Sequence, residues 1–79
     1  MPRVTPIDPY KLIKILNKIG FKPVRQKGSH VILMNKRQTR IVVPVHSGKK
    51  LKPSLIRVII KEARLTREEY FELLKKIAS

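Results

Sequence analysis

The sequence predicts a small α+β domain in the order αβββαα, with the helices on one face of a three-stranded antiparallel sheet. Three observations predict it: a helical apolar repeat between Asp8 and Gly20, a run of short Val- and Ile-rich segments from Lys22 to Pro44 broken by turn residues, and two more helical stripes after Pro53. Internal repeats and low-complexity segments are not visible.

The first helix is announced by Asp8 followed by Pro9. A carboxylate at the cap accepts from a freed backbone N–H, and proline fits the first helical position because its missing N–H has no partner there. Ile7 and Leu12 bracket this cap as a hydrophobic staple. Leu12, Ile13, Leu16 and Ile19, joined by Ile15, then form the buried stripe. Gly20 supplies a left-handed cap that ends the helix at Ile19 and lets Phe21 fold back on Leu16.

The three strands are separated at Lys27-Gly28 and again at Asn35 to Gln38. Pro23 has no N–H to donate to a ladder, so the first strand must lie at an edge or begin after the proline; Pro44 closes the third. Strand alternation puts His30, Ile32 and Met34 on one face, and Ser29, Val31 and Leu33 on the other. After a loop from His46 to Lys50, Pro53 opens a second helix whose stripe is Leu55, Ile56, Ile59, Ile60 and Ala63. Thr66 and Glu69 have capping-box spacing, and Tyr70, Phe71, Leu74 and Ile77 mark the terminal helix.

Composition narrows the function. With 79 residues, 42% of them hydrophobic, the chain can close one small core, whereas two halves would each bury too little, so residues 1–79 are expected to form one domain. Without cysteine there is neither a disulfide framework nor a thiolate zinc site. The first thirty residues lack a secretory pattern, and no apolar run reaches the roughly 20 residues that span a bilayer. The expectation is a soluble, cytoplasmic protein with no membrane partner. Nineteen Lys and Arg against five Asp and Glu give a formal charge of +14, which calls for a polyanionic partner. Charge alone does not separate RNA, DNA, anionic lipid and acidic protein.

The chemistry-bearing residues are few. The two histidines are His30, at the start of the second strand, and His46, just after the third; their separation depends on a register that sequence does not set. A histidine beside an apolar row is more often a buried ring than a catalyst. Here, however, Arg25, Lys27 and Gly28 precede His30 and place cations and a side-chain-free backbone where a phosphate could approach. Lys49, Lys50 and Lys52 crowd the start of the second helix, where the helix dipole disfavours them unless an anion binds; a merely solvated basic loop is the other reading.

Asp8, Glu62, Glu68, Glu69 and Glu72 all belong to helical segments and show no magnesium-binding constellation. Two histidines without cysteine make a poor zinc site, and neither a P-loop nor a Ser-His-Asp order can be assembled. No metal or other cofactor is expected. RNA carries its own nucleophile in the 2′-hydroxyl, so its cleavage needs only a proton-transfer group and cations around the phosphorane.

Gly20-Phe21, Gly28-Ser29-His30, Val43-Pro44-Val45-His46-Ser47-Gly48-Lys49 and the following Leu-rich helix resemble the HicA (YcfA-like) toxins over nearly the whole chain. The resemblance implies a fold similar to double-stranded RNA-binding domains, ribosome-independent cleavage of mRNA, and neutralisation by a HicB-type antitoxin. It also places the family's catalytic histidine on His30, with Ser29 and Gly28 shaping its setting. His46 matches a recurrent histidine of the family, with a structural or substrate-positioning role. The resulting reading is an endoribonuclease toxin in which Arg25 or Lys27, with Lys49, Lys50 and Lys52, clamps RNA phosphates while His30 acts as general base or acid. A non-catalytic RNA-binding module and a basic adaptor for an acidic protein are the alternatives.

Val31, Leu33 and Val42 depart from the expected pattern, because they are assigned to the sheet face turned from the helices. An apolar patch there would suit a second copy of the chain or the antitoxin, or be ordinary sheet surface.

Overall fold

A computed structural model describes residues 3–46 and 48–78. Ser47, within the histidine-containing motif, lies outside the described residues. The chain runs α1 (Pro9–Lys18), β1 (Lys22–Lys27), β2 (His30–Met34), β3 (Arg40–Pro44), α2 (Pro53–Glu62) and α3 (Arg67–Ala78). This is the predicted α+β order.

The ends of α1 follow the local chemistry. The Asp8 carboxylate accepts the Tyr10 N–H at 2.8 Å. At the other end Gly20 takes a φ of 97°, while the Phe21 N–H donates to the Leu16 carbonyl at 3.0 Å and the Gly20 N–H to Asn17 at 3.2 Å. That pair of bonds is the Schellman arrangement, which delivers Phe21 to the core. Strand β1 begins at Lys22, directly after Phe21, so helix and sheet are joined by a single tight corner.

The three strands pair antiparallel in the order β1-β2-β3. Pro23 lies within β1, and β1 is an edge strand, as the missing donor requires. The β1–β2 register shifts between Pro23 and Arg25. Gly28 and Ser29 form the two-residue turn between β1 and β2; Gly28 has a φ of 56°, the sign that a primed hairpin turn demands at its first central position. Between β2 and β3 the Asn35 side chain accepts the N–H groups of Arg37 and Thr39 at 3.0 and 2.9 Å, closing the second turn.

Register decides which face is which. Val31 pairs with Val43 and Leu33 with Ile41, and all four join Leu12, Ile15, Leu16, Ile56, Ile59 and Tyr70 in the core. The expectation for Val31 and Leu33 is therefore corrected: they are 6% and 0% exposed and lie beneath the helices. Directly opposed residues share a face, so once Ile41 and Val43 turn toward the helices their β2 partners must follow. Val42 alone of the three belongs to the open face, opposite Ile32. Each side chain fully withdrawn into this core contributes about 1.5–3 kcal/mol.

The remaining face carries three cross-strand rows: Lys27, His30 and Pro44; Arg25, Ile32 and Val42; Lys22, Met34 and Arg40. It is basic along β1 and apolar in the middle, where Val42 is 38% exposed. Of the three residues expected to form an apolar outer patch only Val42 lies on this face, beside buried Ile32 and half-buried Met34 and Pro44.

Beyond β3 the chain is pinned by a short bridge, in which the Leu51 N–H donates to the Ile7 carbonyl at 2.7 Å and the Ile7 N–H returns to Leu51 at 3.3 Å. This ties the lysine loop to the entrance of α1. Pro53 opens α2; of its expected stripe Ile56, Ile59 and Ile60 are buried, while Leu55 and Ala63 pack half-buried against the core. The capping box of α3 forms, with Thr66 N–H to Glu69 Oε1 at 2.9 Å and Glu69 N–H to Thr66 Oγ1 at 3.1 Å. Tyr70 then enters the core, and its burial pushes the phenol pKa up.

Candidate functional site

His30 begins β2 on the helix-free face and is exposed. Lys27 sits directly across the ladder from it, also exposed, while Arg25 stands one row further along, opposite Ile32. The tight turn at Gly28-Ser29 explains the local sequence: two residues reverse the chain so that Lys27 and His30 become neighbours. Gly28 meets this need through its positive φ, since a Cβ there would touch nothing within 4 Å.

Ser29 has a role that its side chain does not reveal. Its carbonyl accepts the Val45 N–H at 2.6 Å, which carries the β2–β3 pairing one step past the last ladder pair, His30 with Pro44. Val45 turns into the core, so by alternation the next residue returns to the open face. That residue is His46. The His30 and His46 ring centroids stand 6.4 Å apart with their planes at 77°.

The separation that sequence left open is thus set by a backbone hydrogen bond. No hydrogen bond joins either imidazole to another described residue.

The lysines gather around His46. The Lys49 N–H donates to the His46 carbonyl at 3.1 Å, curling the loop back on the histidine. One hollow of 250 Å³ is lined by His46, Lys49, Lys50, Lys52, Ser54 and Leu55 among others. A second, of 290 Å³, lies between the same loop and the start of α1, with Tyr10 and Asp8 in its wall. Lys52 is the N-cap of α2 and makes no side-chain cap bond, and the first turn of that helix holds no acidic residue. The helix start is therefore electropositive, as its lysines and dipole together require.

Along one exposed edge of the molecule the structure places His30 opposite Lys27 and beside His46, and Lys49, Lys50 and Lys52 in a hollow that His46 also lines, with Arg25 further along β1. Sequence reasoning missed Tyr10, which is 59% exposed beside this edge, because its distance from His46 along the chain hides their proximity. It also missed Lys22 and Arg40, which the register adds to the open face. Among the described residues no group of three His, Asp or Glu side chains is placed to hold a metal ion.

Fold and site define a small, basic α+β domain that presents a histidine pair among cations on the open face of its sheet. The family model described as HicA toxin of bacterial toxin-antitoxin matches residues 10–65, well over half of the chain. The protein belongs to the HicA toxin family, and a toxin of such a system implies an antitoxin as partner. A comparison with curated proteins finds no match. No helix among the described residues is long and apolar enough to cross a membrane.

Proposed function

We propose that this toxin is an endoribonuclease that cleaves mRNA in the cytoplasm by a metal-independent, histidine-dependent route, and that a HicB-type antitoxin neutralises it. The observation that carries the reading is the setting of His30: exposed on the helix-free face, with Lys27 across the strand and, beside it, His46, which lines the same hollow as the lysine loop. A phosphodiester lying there meets the Lys27 ammonium and an imidazole, the side chain that most often serves as general acid or base.

In this reading the 2′-hydroxyl attacks its own phosphorus, and His30 serves as general base or acid. Arg25, Lys27, Lys49, Lys50 and Lys52 offset the charge that builds on the phosphorane oxygens. The products are a 2′,3′-cyclic phosphate and a 5′-hydroxyl.

The test is cleavage of a defined single-stranded RNA in excess EDTA by the parent and by His30→Ala, with product ends analysed. Circular dichroism establishes that the variant is folded, and a mock purification controls for contaminating nuclease. Loss of about 10²–10⁴-fold in rate is expected, the usual contribution of a proton-transfer residue. Equal rates in parent and variant would remove His30 from the chemistry. Salt-sensitive binding with no turnover by the parent would instead make the chain an RNA-binding module.

A further inference from the structure

We infer that His46 is the second proton-transfer residue of this site, so that His30 and His46 act as a base and acid pair across a single RNA phosphodiester. The inference rests on the endoribonuclease reading above and adds to it the catalytic partner that His30 alone leaves missing.

Geometry supplies the first argument. A base and an acid that each lie about 3 Å from oxygens on opposite sides of one phosphorus must themselves be on the order of 6–9 Å apart. The ring centroids, 6.4 Å apart, give a separation of that order. No hydrogen bond joins the two rings, so neither histidine serves to orient the other through a direct bond.

The fold makes no use of the His46 side chain. It is exposed, belongs to no part of the core, and follows a backbone bond, Val45 N–H to Ser29 carbonyl, that sets its place beside His30. Positive charge is already plentiful there, from Lys27 across the strand from His30 and from Lys49, Lys50 and Lys52 beside His46. What an imidazole adds to such a group is a ring nitrogen that can serve as general base or general acid.

One histidine, neutral, takes the 2′-hydroxyl proton as the O2′–P bond forms. The other, protonated, gives its proton to O5′ as the P–O5′ bond breaks. The pair ends with its protonation states exchanged and is reset through water.

The experiment compares the parent, His30→Ala, His46→Ala and His46→Lys on two versions of one oligoribonucleotide. In the second version the bridging 5′-oxygen at the cleaved bond is replaced by sulfur, whose thiolate departs without needing a proton. On ordinary RNA both alanine variants should lose about 10²–10⁴-fold in kcat. On the sulfur-bridged RNA, the variant lacking the acid should return to near the parent rate, while the variant lacking the base should stay impaired.

His46→Lys, which keeps the charge, should remain as slow as His46→Ala on ordinary RNA. The inference is overturned if His46→Ala raises KM but keeps kcat, if His46→Lys behaves as the parent, or if sulfur rescues neither alanine variant. A parent that cleaves neither RNA would sink the endoribonuclease reading itself, whereas an inactive His30→Ala beside a parent-like His46→Ala would sink this inference alone.

Discussion

Leu33 and Val42 occupy neighbouring strands of the same sheet yet face opposite ways, and the difference governs what each can tolerate. Leu33 is 0% exposed and Val42 38%. Leu33→Ala should cost about 2–5 kcal/mol through lost transfer energy and a residual cavity. Val42→Ala should cost less than about 1 kcal/mol. Urea unfolding of the two variants checks the assignment of faces, and equal losses would contradict it. His30 was legible at this scale: alternation grouped it with Ile32 and Met34, and the ladder keeps that grouping. Which of the two faces the helices would cover was not legible, because β2 has apolar side chains on both.

At the scale of elements, two helices end in the same motif with different residues. Gly20 caps α1 at a φ of 97°, whereas Arg64 caps the end of α2 at 60°. The Leu65 N–H reaches the Ile60 carbonyl at 2.9 Å and the Arg64 N–H reaches Lys61 at 3.0 Å, completing the second Schellman pair. A side chain in the left-handed region costs about 1–2 kcal/mol, part of which glycine recovers at the expense of its unfolded-state entropy. Arg64→Gly should therefore raise stability by about 0.5–1 kcal/mol, and Gly20→Ala should lower it by about 1 kcal/mol. Thermal unfolding reads both, and the opposite signs are the point of the comparison. The elements themselves were readable from caps and spacing, with α1 ending one residue before the position expected from Ile19.

The whole molecule is dominated by its charge, since 19 basic side chains face 5 acidic ones. The exposed pair of Lys75 and Glu72, at 3.9 Å, relieves little of this repulsion. Salt should act in two directions. Raising NaCl from about 50 to about 500 mM screens the self-repulsion and should raise the melting temperature by a few degrees. The same change should weaken RNA binding, with a log–log slope of roughly −0.7 for each phosphate that Arg25, Lys27, Lys49, Lys50 or Lys52 neutralises. A salt-independent affinity would count against the phosphate clamp. Lys22 and Arg40 lie on the same open face, so a steeper slope would indicate that the RNA extends across β1 and β3.

By itself the sequence determined the order of elements, the caps that bound them and the net charge. These depend on interactions among residues a few positions apart, or on counting, and both are visible along a chain. Only the tertiary structure decided that Val31 and Leu33 belong to the core, that Lys22 and Arg40 share the open face, and that Tyr10 stands near His46. It also decided that His46 lies beside His30. The physical reason is register: a shift of one residue between β2 and β3 would send every side chain of a strand to the other face. Cross-strand hydrogen bonds, ending with Val45 to Ser29, select the one pairing that buries Val31, Leu33, Ile41 and Val43 together and leaves the two histidines in the open.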